Sequence, residues 1–298
     1  MSKMQKKIIY ALGFFDGVHM GHQALLAACR HLAEEQNCDA GVITFATHPD
    51  SLVKGNNPCL LNTGKDRKFL LHGYKMHTVV ELPFNEELMH THWSAFLEAL
   101  VADGAAGFVC GSDFRFGAGG SGTAKKLEGF CKKRNIPYAV VPQQTMDGIR
   151  ISSTYIRELI AAGEMEKANL FLGHPHTLSG EVIHGRGLGR TIGIPTANIA
   201  LPEGVICPKH GVYACKAVVD GNIYMAVTNV GTRPTVSGTH VTIEPWLMDF
   251  SGDLYGKQLR LLFFKFLRPE QKFDSLAELQ AEIQKNGEET RKFFKNFE

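Results

Sequence analysis

Two histidines three residues apart close a glycine-rich stretch, Gly13-Phe14-Phe15-Asp16-Gly17-Val18-His19-Met20-Gly21-His22, where an apolar strand pattern gives way to a helical one. A strand-to-helix turn presents backbone N–H groups and the positive end of the helix dipole, both of which favour phosphate. Imidazoles at this spacing, His19 and His22, can both face a polyphosphate, and Gly21 between them leaves room for a nucleotide. The chemistry this suits is holding a triphosphate and stabilising the charge that develops on it. A turn with two surface histidines would show the same residues, so the segment gains force only from its company. Far downstream, Ile151-Ser152-Ser153-Thr154-Tyr155-Ile156-Arg157 opens another predicted helix. Its three hydroxyls and guanidinium could grip the β- and γ-phosphates of the same nucleotide, although Ser and Thr also favour N-caps for their own sake.

Between these lies Gly111-Ser112-Asp113-Phe114-Arg115-Phe116-Gly117, followed by Ala118-Gly119-Gly120-Ser121-Gly122. It is not a P-loop, because Thr123 stands where that motif needs Lys. It reads as a substrate loop in which Phe114 or Phe116 packs on a ring while Asp113 or Arg115 meets a polar edge; the alternative puts both phenylalanines in the core.

A second constellation begins at Gly185-Arg186-Gly187-Leu188-Gly189-Arg190. A dinucleotide fingerprint would continue into a helix, and Ile194-Pro195-Thr196-Ala197-Asn198 is a poor helix opening, so that reading is rejected. A loop rich in Gly and Arg can still wrap phosphates through Gly185, Gly187, Gly189 and Arg190. Thr196 and Asn198 alternate on an extended segment and point the same way, offering two neutral oxygens to a hard cation such as Mg²⁺, unless they are ordinary turn residues after Pro195. Glu244 lies inside an apolar strand between Ile243 and Pro245. It could take a proton from an attacking hydroxyl, or it could be a charge on the solvent face.

The elements that must position these groups fall into two textures. Through residue 150, strands at 8–14, 41–45, 78–82, 107–110 and 138–141 alternate with helices at 22–36, 66–74, 93–101 and 124–134. That alternation predicts a parallel sheet covered on both faces, with ligand at the carboxyl ends of the strands. Residues 152–172 read as helical, broken at Gly163. Beyond Gly173 come strands at 180–184, 212–219, 223–230, 241–250 and 258–266 without intervening helices, which suggests a small antiparallel barrel or sandwich. A last helix opens with the capping pair Ser275 and Glu278 and takes Leu276, Leu279 and Ile283 as its buried stripe. The expected domains are 1–170 and 171–298.

Composition excludes several classes. With 298 residues, 44% hydrophobic and 21% charged, the chain is neither disordered nor fibrous. A net charge of +2 implies no polyanion partner, no apolar run reaches the length of a membrane span, and the expected partners are small-molecule substrates, not nucleic acid or membrane. The seven cysteines lack any Cys-x-x-Cys pair, so neither a disulfide framework nor a zinc knuckle is indicated. Basic Lys3, Lys6 and Lys7 precede an apolar run, and Leu26-Ala27-Ala28-Cys29 looks like a lipoprotein box. Asp16, His19, His22 and Gln23 interrupt the apolar region that a signal peptide needs, so the expected location is the cytoplasm.

The first two motifs together resemble the signatures of the HIGH-type nucleotidylyltransferase superfamily. The full order is more specific: Gly-x-Phe-Asp-Gly-x-His-x-Gly-His, Gly-x-Asp-Phe-Arg-Phe-Gly, Ile-Ser-Ser-Thr-x-Ile-Arg, Pro-Thr-Ala-Asn, Asn-x-Gly-x-Arg-Pro-Thr and Asp-Phe-x-Gly-Asp-Leu-Tyr-Gly. In that order they resemble the prokaryotic bifunctional riboflavin kinase/FMN adenylyltransferase family over nearly the whole chain. The resemblance implies a Rossmann-like adenylyltransferase domain followed by a riboflavin kinase β-barrel with a terminal helix. It implies ATP, riboflavin, FMN and FAD as substrates or products and Mg²⁺ as the cation. Carried over, Thr196 and Asn198 hold the metal, Glu244 is the general base, and Arg268 contacts flavin. Gly13, Phe14, Phe15, Asp16, Gly17, His19, Gly21, His22, Ser152, Ser153, Thr154 and Arg157 hold the other ATP, and Asp113 to Phe116 meet FMN. Two alternatives keep less: an adenylyltransferase whose second domain only binds flavin, and a flavin carrier without turnover. The chain departs from the family where Phe45-Ala46-Thr47-His48-Pro49 replaces Phe-x-Pro-His-Pro and where Gly173-His174-Pro175-His176 replaces Gly-Arg-Pro-Tyr. It departs again where Pro245-Trp246 follows Glu244 in place of the usual Glu-x-His.

Overall fold

The computed structural model describes residues 7–53, 55, 58–185, 188–235 and 238–296. They form two compact units, one of residues 1–59 and 67–152, the other of residues 60–66 and 153–298.

In the first unit the elements run β1 (Ile8–Leu12), α1 (Met20–Glu35), β2 (Asp39–Phe45), α2 (Pro49–Val53), α3 (Gly64–Gly73), β3 (Thr78–Leu82), α4 (Glu86–His90), α5 (Trp93–Ala102), β4 (Ala105–Gly111), β5 (Arg115–Phe116), β6 (Gly122–Thr123), α6 (Ala124–Arg134), β7 (Tyr138–Val141), β8 (Thr145–Met146) and β9 (Ile149–Arg150). The five long strands make the expected parallel sheet, in the order β3-β2-β1-β4-β7. Alternation explains why both faces must be covered. Ile9 and Ala11 pack with Leu26, Cys29 and Ala33 of α1 on one face. Tyr10 and Leu12 pack with Phe96, Leu127 and Phe130 of the helices on the other. Cys29 and Cys110 belong to these cores, where burial pushes their thiols up to about 12.

In the second unit α7 (Ser153–Ala162) and α8 (Met165–Leu172) precede β10 (His176–Ile183), α9 (Leu188–Thr191), β11 (Asn198–Ala200), β12 (Gly211–Val219), β13 (Asn222–Thr235), β14 (Gly238–Leu247), β15 (Gln258–Arg268) and α10 (Leu276–Lys295). The six strands close into an antiparallel barrel, β10-β11-β14-β13-β12-β15, which leaves no unpaired edge. The chain before β10 belongs with the barrel because Asn169 on α8 donates to the carbonyls of Phe263 (2.8 Å) and Phe264 (3.3 Å) and accepts from the His176 N–H (2.8 Å). Residues 60–66 join the same unit through Asp66. Its fully buried carboxylate accepts from the Ser179 N–H at 3.1 Å, from the Ser179 and Thr63 hydroxyls, and from Arg260 Nε at 3.4 Å.

At α10 the expected cap forms: Ser275 Oγ accepts from the Glu278 N–H at 3.2 Å, and Glu278 Oε2 accepts from the Asp274 N–H at 3.3 Å. The expected stripe needs correction. Leu276 is 52% exposed, because the buried face continues as Asn286, Gly287, Thr290 and Phe294 toward the far end of the helix.

Candidate functional site: two phosphate-handling centres

The turn after β1 is strained. Phe15 (φ 60°) and Val18 (φ 41°) take left-handed conformations beside Gly17 (φ 77°), and a β-branched residue with positive φ is a genuine outlier. Surrounding bonds over-determine it: the Thr44 hydroxyl donates to the Phe14 carbonyl at 2.8 Å, the Val18 N–H donates to Phe15 at 3.1 Å, and Gln23 Nε2 donates to the Val18 carbonyl at 2.9 Å. The buried Phe15 ring anchors the turn in the core.

His19 caps α1. Its Nδ1 accepts the His22 N–H at 3.3 Å, which assigns the proton of the neutral ring to Nε2. The two imidazoles stack with centroids 3.6 Å apart and planes 15° from parallel. His22 has its Nδ1 buried without a hydrogen-bond partner, and desolvation together with the neighbouring His19 holds its pKa well below the ordinary value. A Cβ at Gly21 would lie 3.2 Å from the His19 ring and 3.9 Å from the Ile151 carbonyl. The space expected for a nucleotide is therefore first the space for the His19 ring.

Arg67, His48 and Thr44 join this turn, and of these only His48 stands in one of the sequence motifs. Arg67 is almost fully buried; its Nη2 donates to the Phe45 carbonyl at 2.8 Å and to Glu81 at 3.2 Å, and its guanidinium carbon lies 4.4 Å from the Phe14 ring centroid. Its Nε and Nη1 are buried without partners. Burial pulls its pKa down, while Glu81 and then Asp16 push it up. His48 meets the same Phe14 ring edge-on at 4.6 Å, and Thr44 fixes the backbone. A lone Arg in a helix reads as a solvated charge, which is why Arg67 gave no signal.

In the loop after β4, Phe116 is a core residue, 6% exposed and packed on Phe96, so a ring contact falls to half-buried Phe114, which stacks on Phe116 at 5.5 Å. Asp113 is tied to the β8–β9 hairpin by Arg150 at 2.5 Å and Gln143 at 2.9 Å; Arg115 is exposed. The segment after that hairpin divides between the units, Ser152 with the first and Ser153, Thr154 and Arg157 with the second. Ser153 and Arg157 are four apart on α7 and share a face.

In the barrel, alternation puts Thr242, Glu244 and Trp246 on one face of β14, with buried Ile243, Pro245 and Leu247 opposite. The Thr242 hydroxyl donates to Glu244 Oε1 at 3.0 Å. Glu244 lines a cavity of about 220 Å³ with Thr196, Asn198, Trp246, Arg268 and the α10 residues Leu279 and Ile283, so it faces a cavity rather than open solvent. Thr196 also lines a second, more polar cavity of about 330 Å³ with Arg190, Asp253 and Tyr255. Asn198 is buried with its Oδ1 unpartnered. Two glycines of the loop allow this crowding: a Cβ at Gly185 would lie 2.2 Å from Asn198 Nδ2, and one at Gly189 would lie 2.3 Å from the Ile194 carbonyl. Gly187 lies outside the described residues. Arg268 is held by Asn286 (3.1 Å) and Glu282 (3.2 Å) at the cavity wall. Among the described residues no group of three His, Cys, Asp or Glu side chains is arranged to hold a metal.

Comparison with known proteins matches each unit's chemistry to a family. Residues 1–155 match the FAD synthetase family and residues 172–294 the riboflavin kinase family. The chain is 34% identical to the bifunctional riboflavin kinase/FMN adenylyltransferase of Listeria monocytogenes, covering 97% of this chain and 93% of that one. It is 37% identical to the protein of the same name from Haemophilus influenzae, over 95% and 93%. The chain belongs to the bifunctional riboflavin kinase/FMN adenylyltransferase family. The six motifs thus led to the right family, and the Rossmann-like and barrel architecture it implied is the one observed. A Streptococcus pneumoniae structure titled a macrolide-efflux protein superposes with a TM-score of 0.86 at 29% identity, covering 97% of this chain and 95% of that one. No described helix of this family member is long and apolar enough to cross a membrane.

Proposed function

We propose that this chain makes FAD from riboflavin in two ATP-dependent transfers, phosphorylation assigned to residues 171–298 and adenylylation to residues 1–170. The observation that carries the first assignment is the pair of cavities that share Thr196, one holding Glu244 among mainly apolar lining, the other more polar and holding Arg190 and Asp253. Riboflavin in the first and the ATP phosphates in the second would meet at Thr196. The ribityl hydroxyl oxygen bonds to the γ-phosphorus, the γ-phosphorus–oxygen bond to ADP breaks, and Glu244 takes the hydroxyl proton. The donor set suits Mg²⁺: the unpartnered buried Asn198 Oδ1 and the Thr196 hydroxyl are hard, neutral oxygens that add to those of the phosphates. Magnesium held there would neutralise charge on ATP. Gly185, Gly189 and Arg190 wrap the phosphates, and Arg268 borders the flavin.

In the adenylyl transfer the nucleophile is the phosphate of FMN, already ionised, so no proton has to leave it. An FMN oxygen bonds to the α-phosphorus of ATP and pyrophosphate departs. The residues proposed to act, His19, His22, Ser152, Ser153, Thr154 and Arg157, then bind and stabilise charge. His22, kept neutral by burial and its neighbour, donates an N–H to an arriving triphosphate, whose charge favours protonation of both rings. Asp113, Phe114 and Arg115 are the proposed FMN contacts. The seven free cysteines fit a reducing cytoplasm. The reading of the barrel as a flavin binder without phosphorylation is disfavoured, because a binder needs no carboxylate beside a phosphate site.

Chromatography of riboflavin, FMN and FAD after incubation with riboflavin, ATP and Mg²⁺ tests the reading. FMN should form first and FAD second. Riboflavin left intact while supplied FMN becomes FAD would overturn the kinase half, and no turnover of either flavin would overturn both.

A further inference from the structure

Two residues beyond the carboxylate that faces the barrel cavity, the chain carries Trp246. On a strand these two side chains share a face, with Cα atoms about 7 Å apart. Both line the apolar cavity. The indole is also held from behind: a Cβ at Gly287 of α10 would lie 2.8 Å from its Cζ3 and 3.2 Å from its Cη2, so the helix backbone approaches the ring edge as only glycine permits. Phe273, Leu279 and Ile283 add apolar lining to the same cavity, which Arg268 and Asn286 also border. A flat, electron-rich ring thus lines the same cavity as the Glu244 carboxylate.

We propose that Trp246 determines specificity for the flavin ring: its indole stacks on the oxidised isoalloxazine system of riboflavin. This rests on the reading of the cavity as the riboflavin site. Oxidised isoalloxazine is planar and electron-poor, and offset stacking of such a ring on indole adds to the gain from area burial alone. Imidazole offers a smaller and less polarisable face. The selection therefore acts on the ring system, leaving the ribityl hydroxyl to Glu244.

The chain has only two tryptophans, so in a Trp93→Phe background Trp246 is the sole indole fluorophore. Titration with riboflavin should quench its emission. Trp246→Leu should raise the KM for riboflavin about tenfold, with the loss falling on KM rather than kcat, and Trp246→His should fall between. Gly287→Ala, which drives a Cβ into the ring edge, should shift KM the same way. Adenylylation of supplied FMN should be unchanged in all three. Riboflavin KM within twofold of the parent in Trp246→Leu, or no quenching by riboflavin in an active kinase, overturns the proposal. Glu244→Gln run alongside separates the two readings: if it phosphorylates riboflavin at the parental rate, the cavity assignment itself falls.

Discussion

The two phosphate-handling centres solve different problems with different materials. At the end of β1 the chain holds a strained turn and two stacked imidazoles. In the barrel two neutral oxygens, those of Thr196 and Asn198, share a cavity with the carboxylate of Glu244. The difference follows the nucleophile. A phosphate monoester arrives ionised and needs only charge stabilisation and alignment, whereas an alcohol must lose a proton as it attacks.

That contrast is broken most directly at Glu244. Glu244→Gln should lower riboflavin phosphorylation by about 10³-fold while leaving the conversion of supplied FMN to FAD intact, as read by flavin chromatography. A loss of both activities would mean that the centres are not chemically independent. The reciprocal change, His22→Ala, should cost about 10²-fold in FAD formation, with FMN formation unaffected. Equal rates in variant and parent would remove the imidazole from the charge-stabilising role.

Gly185→Ala sharpens the comparison from the backbone side. Its Cβ would collide with the Asn198 amide, so phosphorylation should fall about tenfold or more and the apparent Mg²⁺ requirement should rise. No change would show that Asn198 has another place to go.

The smallest effect concerns stability. His176 is buried in the barrel with both ring nitrogens unpartnered, and burial followed by the nearby His174 lowers its pKa to about 3. The unfolded chain protonates this ring near pH 6.5 and the folded chain does not. Stability is therefore present in full above that value and declines by about 1.4 kcal/mol per pH unit as pH falls toward 3. Urea unfolding at pH 7 and pH 5 should show this slope in the parent and a shallower one in His176→Tyr.

Much of the fold was legible because both periodicities are strong. The strands at 78–82 and 138–141 and the helix at 124–134 lie where apolar spacing puts them, and Ser275 caps α10 as its hydroxyl and Glu278 require. Leu276 misled because a period of 3.6 marks a face but not where along the helix a partner begins. At the sites, residue types announced the motif groups. Arg67 and Thr44 stayed invisible, and His48 showed only as part of a motif without a role, because what they do depends on the Phe14 ring and carbonyl, which only the folded turn brings to them. Gly287 was silent for the same reason: its meaning lies in the Trp246 ring pressed against it.

Asp66 bears on how such a polypeptide can be divided. The carboxylate that satisfies Ser179 and Arg260 of the barrel unit lies in sequence between two stretches of the other unit. A gene split at any single codon near the apparent boundary would give a downstream product that lacks this acid and leaves a guanidinium and a backbone donor without it. Fission of the two activities would therefore remove from the barrel the hydrogen bonds that Asp66 accepts from Ser179 and Arg260.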